Sequence, residues 1–297
     1  MGLPVYEQLE IEYADFAKSK YAVTVNSGTS ALHLSLVALG IGKGDEVIVP
    51  DFTMAACGFA VSYVGATVVT VDCDDSLNID VNKIESAITA KTKAIMPVHI
   101  YGRLCNMNKI KEIASKYNLY IIEDGCEAQG AAIGGKSDLL CFSFYKNKII
   151  SGEEGGIICT DSHELYEKMR YLKNMAFGIK HDYFHGNIGY NYRITDSSAF
   201  KALNNLRNYS YINKKRRLKE QKFQESYRTI PRDAVWVYDM VFWTREQRDE
   251  LFQLATKSGL NPRLFFKPLS SMPMWRQKIG ERAQEFSERG FYVPILV

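Results

Sequence analysis

Up to about residue 200, the apolar positions follow two alternating rhythms. Short β-branched and aliphatic runs read as strands: "YAVTV" (21–25), "DEVIVP" (45–50), "TVVTVD" (67–72), "KAIMPVH" (93–99) and "LYIIEDG" (119–125). Between them, "SALHLSLVALG" (30–40), "TMAACGFAVSYVG" (53–65), "NKIESAIT" (82–89) and "MNKIKEIASKYN" (107–118) carry helical spacing, the first two ending at Gly40 and Gly65. Two further strands, "DLLCFSFY" (138–145) and "GGIICT" (155–160), follow close together. This alternation predicts an α/β fold, a mostly parallel sheet with helices on both faces.

After residue 200 the character changes. "NKKRRLKEQKFQESY" (213–227) is a basic run with helical potential, read as the solvated face of a helix joining two domains. "AVWVYDMVFWT" (234–244) and "GFYVPILV" (290–297) are strand-like. The expected organisation is a large domain over 1–208 and a small C-terminal α/β domain over 209–297.

Composition narrows the possible partners. The 297 residues carry 37 basic and 34 acidic side chains, a net charge of +3, which gives no reason to expect nucleic acid or an anionic membrane. No run is long enough to span a bilayer, and the N-terminus lacks the apolar core of a signal peptide, so a cytoplasmic location is expected. The six cysteines are scattered, without C-x-x-C spacing or a nearby histidine. They are expected to be reduced thiols, with no metal site.

The chemistry concentrates at strand ends, where open α/β sheets bind ligands. Gly130–Ser137 satisfies G-x-x-x-x-G-K-[ST], but the strand before it ends too early and a strand, not a helix, follows. The motif therefore reads as a glycine-rich turn, with Lys136 outside any site. Three other strand ends are better placed. "VNSGTS" sets Ser27, Gly28, Thr29 and Ser30 at a helix N-terminus, suited to a phosphate. "IIEDG" brings out Glu123 and Asp124. "FSFYKNK" brings out Ser143, Lys146 and Lys148, and a lysine against an apolar wall can form a Schiff base. A phosphate cradle, a carboxylate and a lysine are together what pyridoxal 5'-phosphate (PLP) requires.

On these stretches, with "VGATVVTVD", "PVHIYG", "FSFYKNKIISGEEGG" and "YFHGNIGYNYRITDSSAF", the chain resembles the DegT/DnrJ/EryC1 family of PLP-dependent sugar aminotransferases, of the type I PLP fold. It looks most like members that aminate 4-keto-6-deoxy nucleotide sugars, the GDP-perosamine synthase type. The resemblance implies that Lys148, rather than Lys146, is the cofactor-linking lysine. It implies that Asp124 pairs with the pyridine nitrogen and that Gln129 lies near the ring hydroxyl. Gly28, Thr29 and Ser143 would contact the phosphate, and Met54 would stand where an aromatic residue usually stacks on the ring. Asn191 would reach a neighbouring subunit's phosphate, implying a homodimer with shared sites, and His185 is a candidate for the sugar side.

The implied activity is transamination of a nucleotide-activated keto-deoxysugar, such as GDP-4-keto-6-deoxymannose, with L-glutamate as amino donor. Two alternatives are a PLP-dependent sugar dehydratase, against which Lys148 argues, and a trimmed homologue that binds sugar nucleotide without turnover. Glu153 replaces a family glycine, and both ends are short against the family pattern, so contacts from those regions are expected to be missing or replaced.

Overall fold

The first half of the chain builds one sheet. Helix α1 (Val5–Phe16) precedes β1 (Tyr21–Val25), and the chain then alternates α2 (Gly28–Ala38), β2 (Glu46–Pro50), α3 (Ala56–Tyr63), β3 (Thr67–Val71), α4 (Val81–Ile84), β4 (Thr92–Ile95), α5 (Met107–Tyr117) and β5 (Tyr120–Asp124). Strands β6 (Leu139–Ser143) and β7 (Gly156–Thr160) follow with no helix between them. The computed structural model describes residues 2–132, 134–178, 183–224 and 230–295.

The seven strands lie in the order β1-β7-β6-β5-β4-β2-β3. Only β7 runs antiparallel to its neighbours, so the sheet is mostly parallel as expected. The carboxyl ends of β1, β2, β4, β5 and β6 therefore share one edge. Strands β6 and β7 are buried at every residue, as continuous apolar runs demand of a sheet covered on both faces. Helix α2 is buried almost all round and packs on β5, β6 and β7. Helix α5 covers the other face, where Ile110, Ile113 and Ala114 meet Ile48, Ile95 and Ile121.

One element is shorter than its spacing predicts. The stretch 82–89 gives the four-residue α4 and then a 3-10 turn over Glu85–Ala87. The Ser86 hydroxyl donates to the Lys83 carbonyl at 2.9 Å, tightening that turn.

Helices α6 (His163–Lys173), α7 (Asp196–Arg207) and α8 (Tyr209–Gln224) lead to a second, antiparallel sheet. It contains β8 (Val237–Val241), β9 (Arg263–Leu264) and a central β10 (Gly290–Pro294), with α9 (Arg245–Lys257) and α10 (Glu281–Arg289) between them in sequence. Along α8, Arg216 and Glu220 turn inward while Lys214, Lys215, Arg217 and Lys222 are exposed, so over 213–224 the basic run is a solvated face, and its last three residues lie outside the described ones.

The two sheets share a core that includes Phe142 and Phe144 with Trp236, Phe265 and Phe286. Gly102 fixes their approach. Its carbonyl accepts from the amides of Asp233 and Ala234, both at 2.9 Å, and a Cβ on Gly102 would collide with the Ala234 carbonyl. Nearby, the buried Asp239 carboxylate of β8 receives Arg103 at 2.7 Å and Arg232 at 2.9 Å.

Candidate active site

A cavity of about 330 Å³ opens at the shared carboxyl edge, between the large sheet and the aromatic residues Trp236, Phe266 and Tyr292. Gly28, Thr29, Met54, Asp124, Ser143 and Lys148 all line it.

The floor begins where β1 gives way to α2. Ser27 caps the helix, its hydroxyl oxygen accepting from the Ser30 amide at 3.0 Å. The first-turn amides of Gly28 and Thr29 have no acceptor within the helix, and the helix dipole adds partial positive charge there. Ser143, ending β6, stands against this turn. A Cβ on Gly28 would lie 2.8 Å from Ser143 Cβ, so only glycine permits the contact. Amides, hydroxyl and dipole together make an anion cradle.

The carboxylates at the end of β5 separate, because adjacent strand residues face opposite sides. Asp124 faces the cavity, its Oδ1 accepting from the Cys126 amide at 2.9 Å and its Oδ2 from the Cys57 thiol at 3.4 Å. Glu123 turns away and meets His99 Nε2 at 2.7 Å. Burial opposes the charge on His99, but Cys105 and Glu123 outweigh it and lift the imidazole to about 10.

The two lysines also separate, for a different reason. They would share a face on a strand, but β6 stops at Ser143 and Tyr145–Lys148 is a turn, closed by the Lys148 amide donating to the Tyr145 carbonyl at 2.8 Å. Lys146 is exposed beside the Tyr145 ring. Lys148 points inward with 11% of its side chain accessible. Its Nζ lies 3.8 Å from the Trp236 ring centroid and 4.0 Å from Glu127 Oε1.

Glu127 is the residue that sequence reasoning missed. Its Oε2 accepts from the Tyr101 amide at 2.8 Å, while Oε1 faces Lys148. Burial pushes this carboxyl up to about 7, against the opposing pull of Lys148. Its signal was the spacing from Asp124: three residues across a turn return to the same side.

Gln129, expected near the ring hydroxyl, does not line the cavity. It is fully buried outside the cavity, and its amide group spans backbone: Nε2 donates to the Ser143 and Ile150 carbonyls at 3.1 and 3.0 Å, and Oε1 accepts from the Ile150 amide at 2.7 Å. It clamps the two ends of the lysine-bearing loop. Nε2 also lies 3.5 Å from the Tyr13 hydroxyl.

Asn191 and His185 do not line the cavity either. Asn191 is exposed, its carbonyl accepting from Asn26 Nδ2 at 3.4 Å. His185 is exposed, with Nδ1 2.8 Å from the Met175 carbonyl and its ring against Phe177. Met54 is half exposed at the rim, its sulfur accepting from the Ala56 amide at 3.3 Å. Glu153 adopts φ 69°, the left-handed conformation that glycine takes without cost, and its carboxylate pairs with Lys201 at 2.5 Å.

All six cysteines are free, and no cluster of three or more metal-ligating side chains occurs among the described residues. No helix among them is long and apolar enough to cross a membrane.

Residues 3–296 match the model of the DegT/DnrJ/EryC1/StrS aminotransferase family. The chain is 37% identical to the GDP-perosamine synthase of Escherichia coli O157:H7, covering 97% of this chain and 84% of that protein. It is 36% identical to the dTDP-3-amino-3,4,6-trideoxy-alpha-D-glucose transaminase of Streptomyces venezuelae, over 98% and 82%. Among solved structures, S. venezuelae DesV in complex with a ketimine intermediate superposes with a TM-score of 0.89 at 31% identity, covering 99% of this chain and 85% of that one. NtdA of Bacillus subtilis with bound cofactor PMP, the pyridoxamine form, gives 0.87 at 28%, covering 99% and 73%.

Proposed function

Because the chain belongs to the DegT/DnrJ/EryC1/StrS aminotransferase family, whose members here are PLP-dependent sugar aminotransferases, we propose that its cavity aminates a nucleotide-activated 4-keto-6-deoxysugar, such as GDP-4-keto-6-deoxymannose, with L-glutamate as donor. One observation carries the reading: Lys148, Asp124 and the open helix N-terminus at Gly28 converge on one cavity. The residues fit PLP. The amides of Gly28 and Thr29 with the Ser143 hydroxyl would hold its phosphate, Asp124 would keep its ring nitrogen protonated, and Met54 would pack at its edge. When bound, PLP supplies an electron sink and carries the amino group between substrates.

The protein supplies positioning and proton transfer. Lys148 Nζ takes the α-proton of the donor and later returns a proton to the aminated sugar carbon. Asp124 is buried and is held in place by the Cys126 amide and the Cys57 thiol, which donate to its two oxygens. Glu127, near neutral pH in its titration, faces Lys148 and holds or yields a proton beside it. The GDP-sugar assignment rests on the perosamine synthase relatives. A homodimer, with Asn191 serving the partner's phosphate, fits that residue's exposure outside its own cavity.

The test is the visible spectrum of the protein with PLP. A band from lysine-linked cofactor, bleached by L-glutamate and missing in Lys148→Ala, is expected, followed by amination of GDP-4-keto-6-deoxymannose. A wild-type protein without that band overturns the reading. Mixing Lys148→Ala with Asn191→Ala chains should restore activity if sites are shared; no recovery would remove the shared-site element.

A further inference from the structure

The aromatic wall of the cavity holds a side chain tied twice to the lysine-bearing turn. Trp236, at the entrance to β8, is 3% exposed. Its ring face lies 3.8 Å from Lys148 Nζ, measured to the centroid. Its indole Nε1 donates to the carbonyl of Asn147, the preceding residue, at 3.0 Å. A tryptophan serving only the core needs one acceptor for its N–H and apolar neighbours for its face. Here the acceptor and the cation belong to consecutive residues of one turn.

The seat is itself fixed. Asp233 and Ala234, just before Trp236, are hydrogen-bonded to Gly102, and the indole packs against the rings of Tyr101 and Tyr292. Glu127 closes the other side of the ammonium.

We propose that Trp236 is a positioning residue for Lys148: its indole face is the resting seat of the lysine ammonium in the apoprotein and beside the bound pyridoxamine form. This rests on the PLP reading above. An ammonium over an indole face is attracted by the ring quadrupole, most strongly where water is excluded. The seat therefore favours the states in which Lys148 is free. Binding PLP draws the lysine off the ring, whereas binding the pyridoxamine form leaves it there. Trp236 thus shifts the balance between the two cofactor forms, as a residue that only supported the fold would not.

The experiment titrates the apoprotein separately with PLP and with pyridoxamine 5'-phosphate, for wild type, Trp236→Phe and Trp236→Leu. Thermal unfolding checks that each variant is folded. The ratio Kd(pyridoxamine form)/Kd(PLP) is expected to rise about tenfold in Trp236→Leu and less than about threefold in Trp236→Phe, which keeps the ring face but loses the N–H. An unchanged ratio in a folded Trp236→Leu overturns the proposal. So does a Trp236→Phe ratio equal to that of Trp236→Leu, since the Asn147 hydrogen bond would then carry the effect. If Trp236→Leu does not fold, Trp236→Phe and Trp236→Met decide it: near-wild-type for the ring and a raised ratio for the thioether support the seat, and equal ratios overturn it. Failure of the PLP reading looks different, because wild type itself would then show no lysine-linked band.

Discussion

Strand β6 is flanked by two loops of similar composition, and only one of them belongs to the cavity. The loop that enters it, Gly130–Ser137, has glycines, Lys136 and Ser137 in a phosphate-loop pattern. The loop that leaves it has Ser143, Lys146 and Lys148. The first lies at the amino ends of the strands: Asp138 beside it accepts from the Ile121 amide at 2.8 Å, and Lys111 donates to the Gly135 carbonyl at 3.2 Å. Among the described residues no helix begins there, so no row of open amides points at a ligand. The second lies at the carboxyl ends, facing the start of α2. Position on the sheet, not composition, separates a cradle from a turn.

The contrast is sharpest at the lysines. Lys148→Ala should lower the transamination rate about 10³-fold or more, while Lys136→Ala stays within about twofold. Steady-state rates on both variants check this, and equal losses would erase the distinction between the loops.

A smaller effect is expected from the carboxyl beside Lys148. The Glu127 carboxyl stands at about 7 in the folded protein against an ordinary 4.5. The folded state thus holds an extra proton between those values. This group's contribution to stability is fully present below about pH 4.5 and is lost as pH rises through about 7. Glu127→Gln should flatten the decline, by roughly 3 kcal/mol across the window. Urea unfolding of the apoprotein at pH 5 and pH 8 measures it; a wild-type slope retained in the variant would show that Glu127 is not the group.

Next comes the cradle. Gly28→Ala forces a methyl against Ser143 Cβ at 2.8 Å and should weaken PLP binding about tenfold with little loss of secondary structure. Spectral titration reads the affinity, and an unchanged value would place the phosphate elsewhere.

The smallest effect lies in the loop that leaves β6. Glu153→Gly relieves a left-handed non-glycine residue and removes only an exposed ion pair with Lys201. A net gain of about 1 kcal/mol is expected. A loss on thermal or urea unfolding would mean that the Lys201 pair outweighs the backbone strain.

Much of this was legible along the chain. The strands and helices of the large sheet follow from local periodicity, and the Ser27 cap, Gly28 and Asp124 stand where a strand ends. Family resemblance selected Lys148, and it also proposed Gln129, which the structure turns away from the cavity. Glu127 escaped because "EDGCEAQG" offers several polar residues, and only the turn after β5 shows which one faces inward. Trp236 could not be found at all by local reading, because its place beside Lys148 is made by Gly102 and the packing of the two sheets.

The sequence by itself therefore determined the order of elements, the mostly parallel sheet and the set of groups available at its carboxyl edge. Those depend on backbone sterics and side-chain periodicity within a few residues. Only the tertiary structure decided which of two neighbouring lysines faces inward, which polar residue joins it and which aromatic ring it rests against. Those choices depend on how distant segments pack, and dense packing admits one arrangement where local pattern permits several.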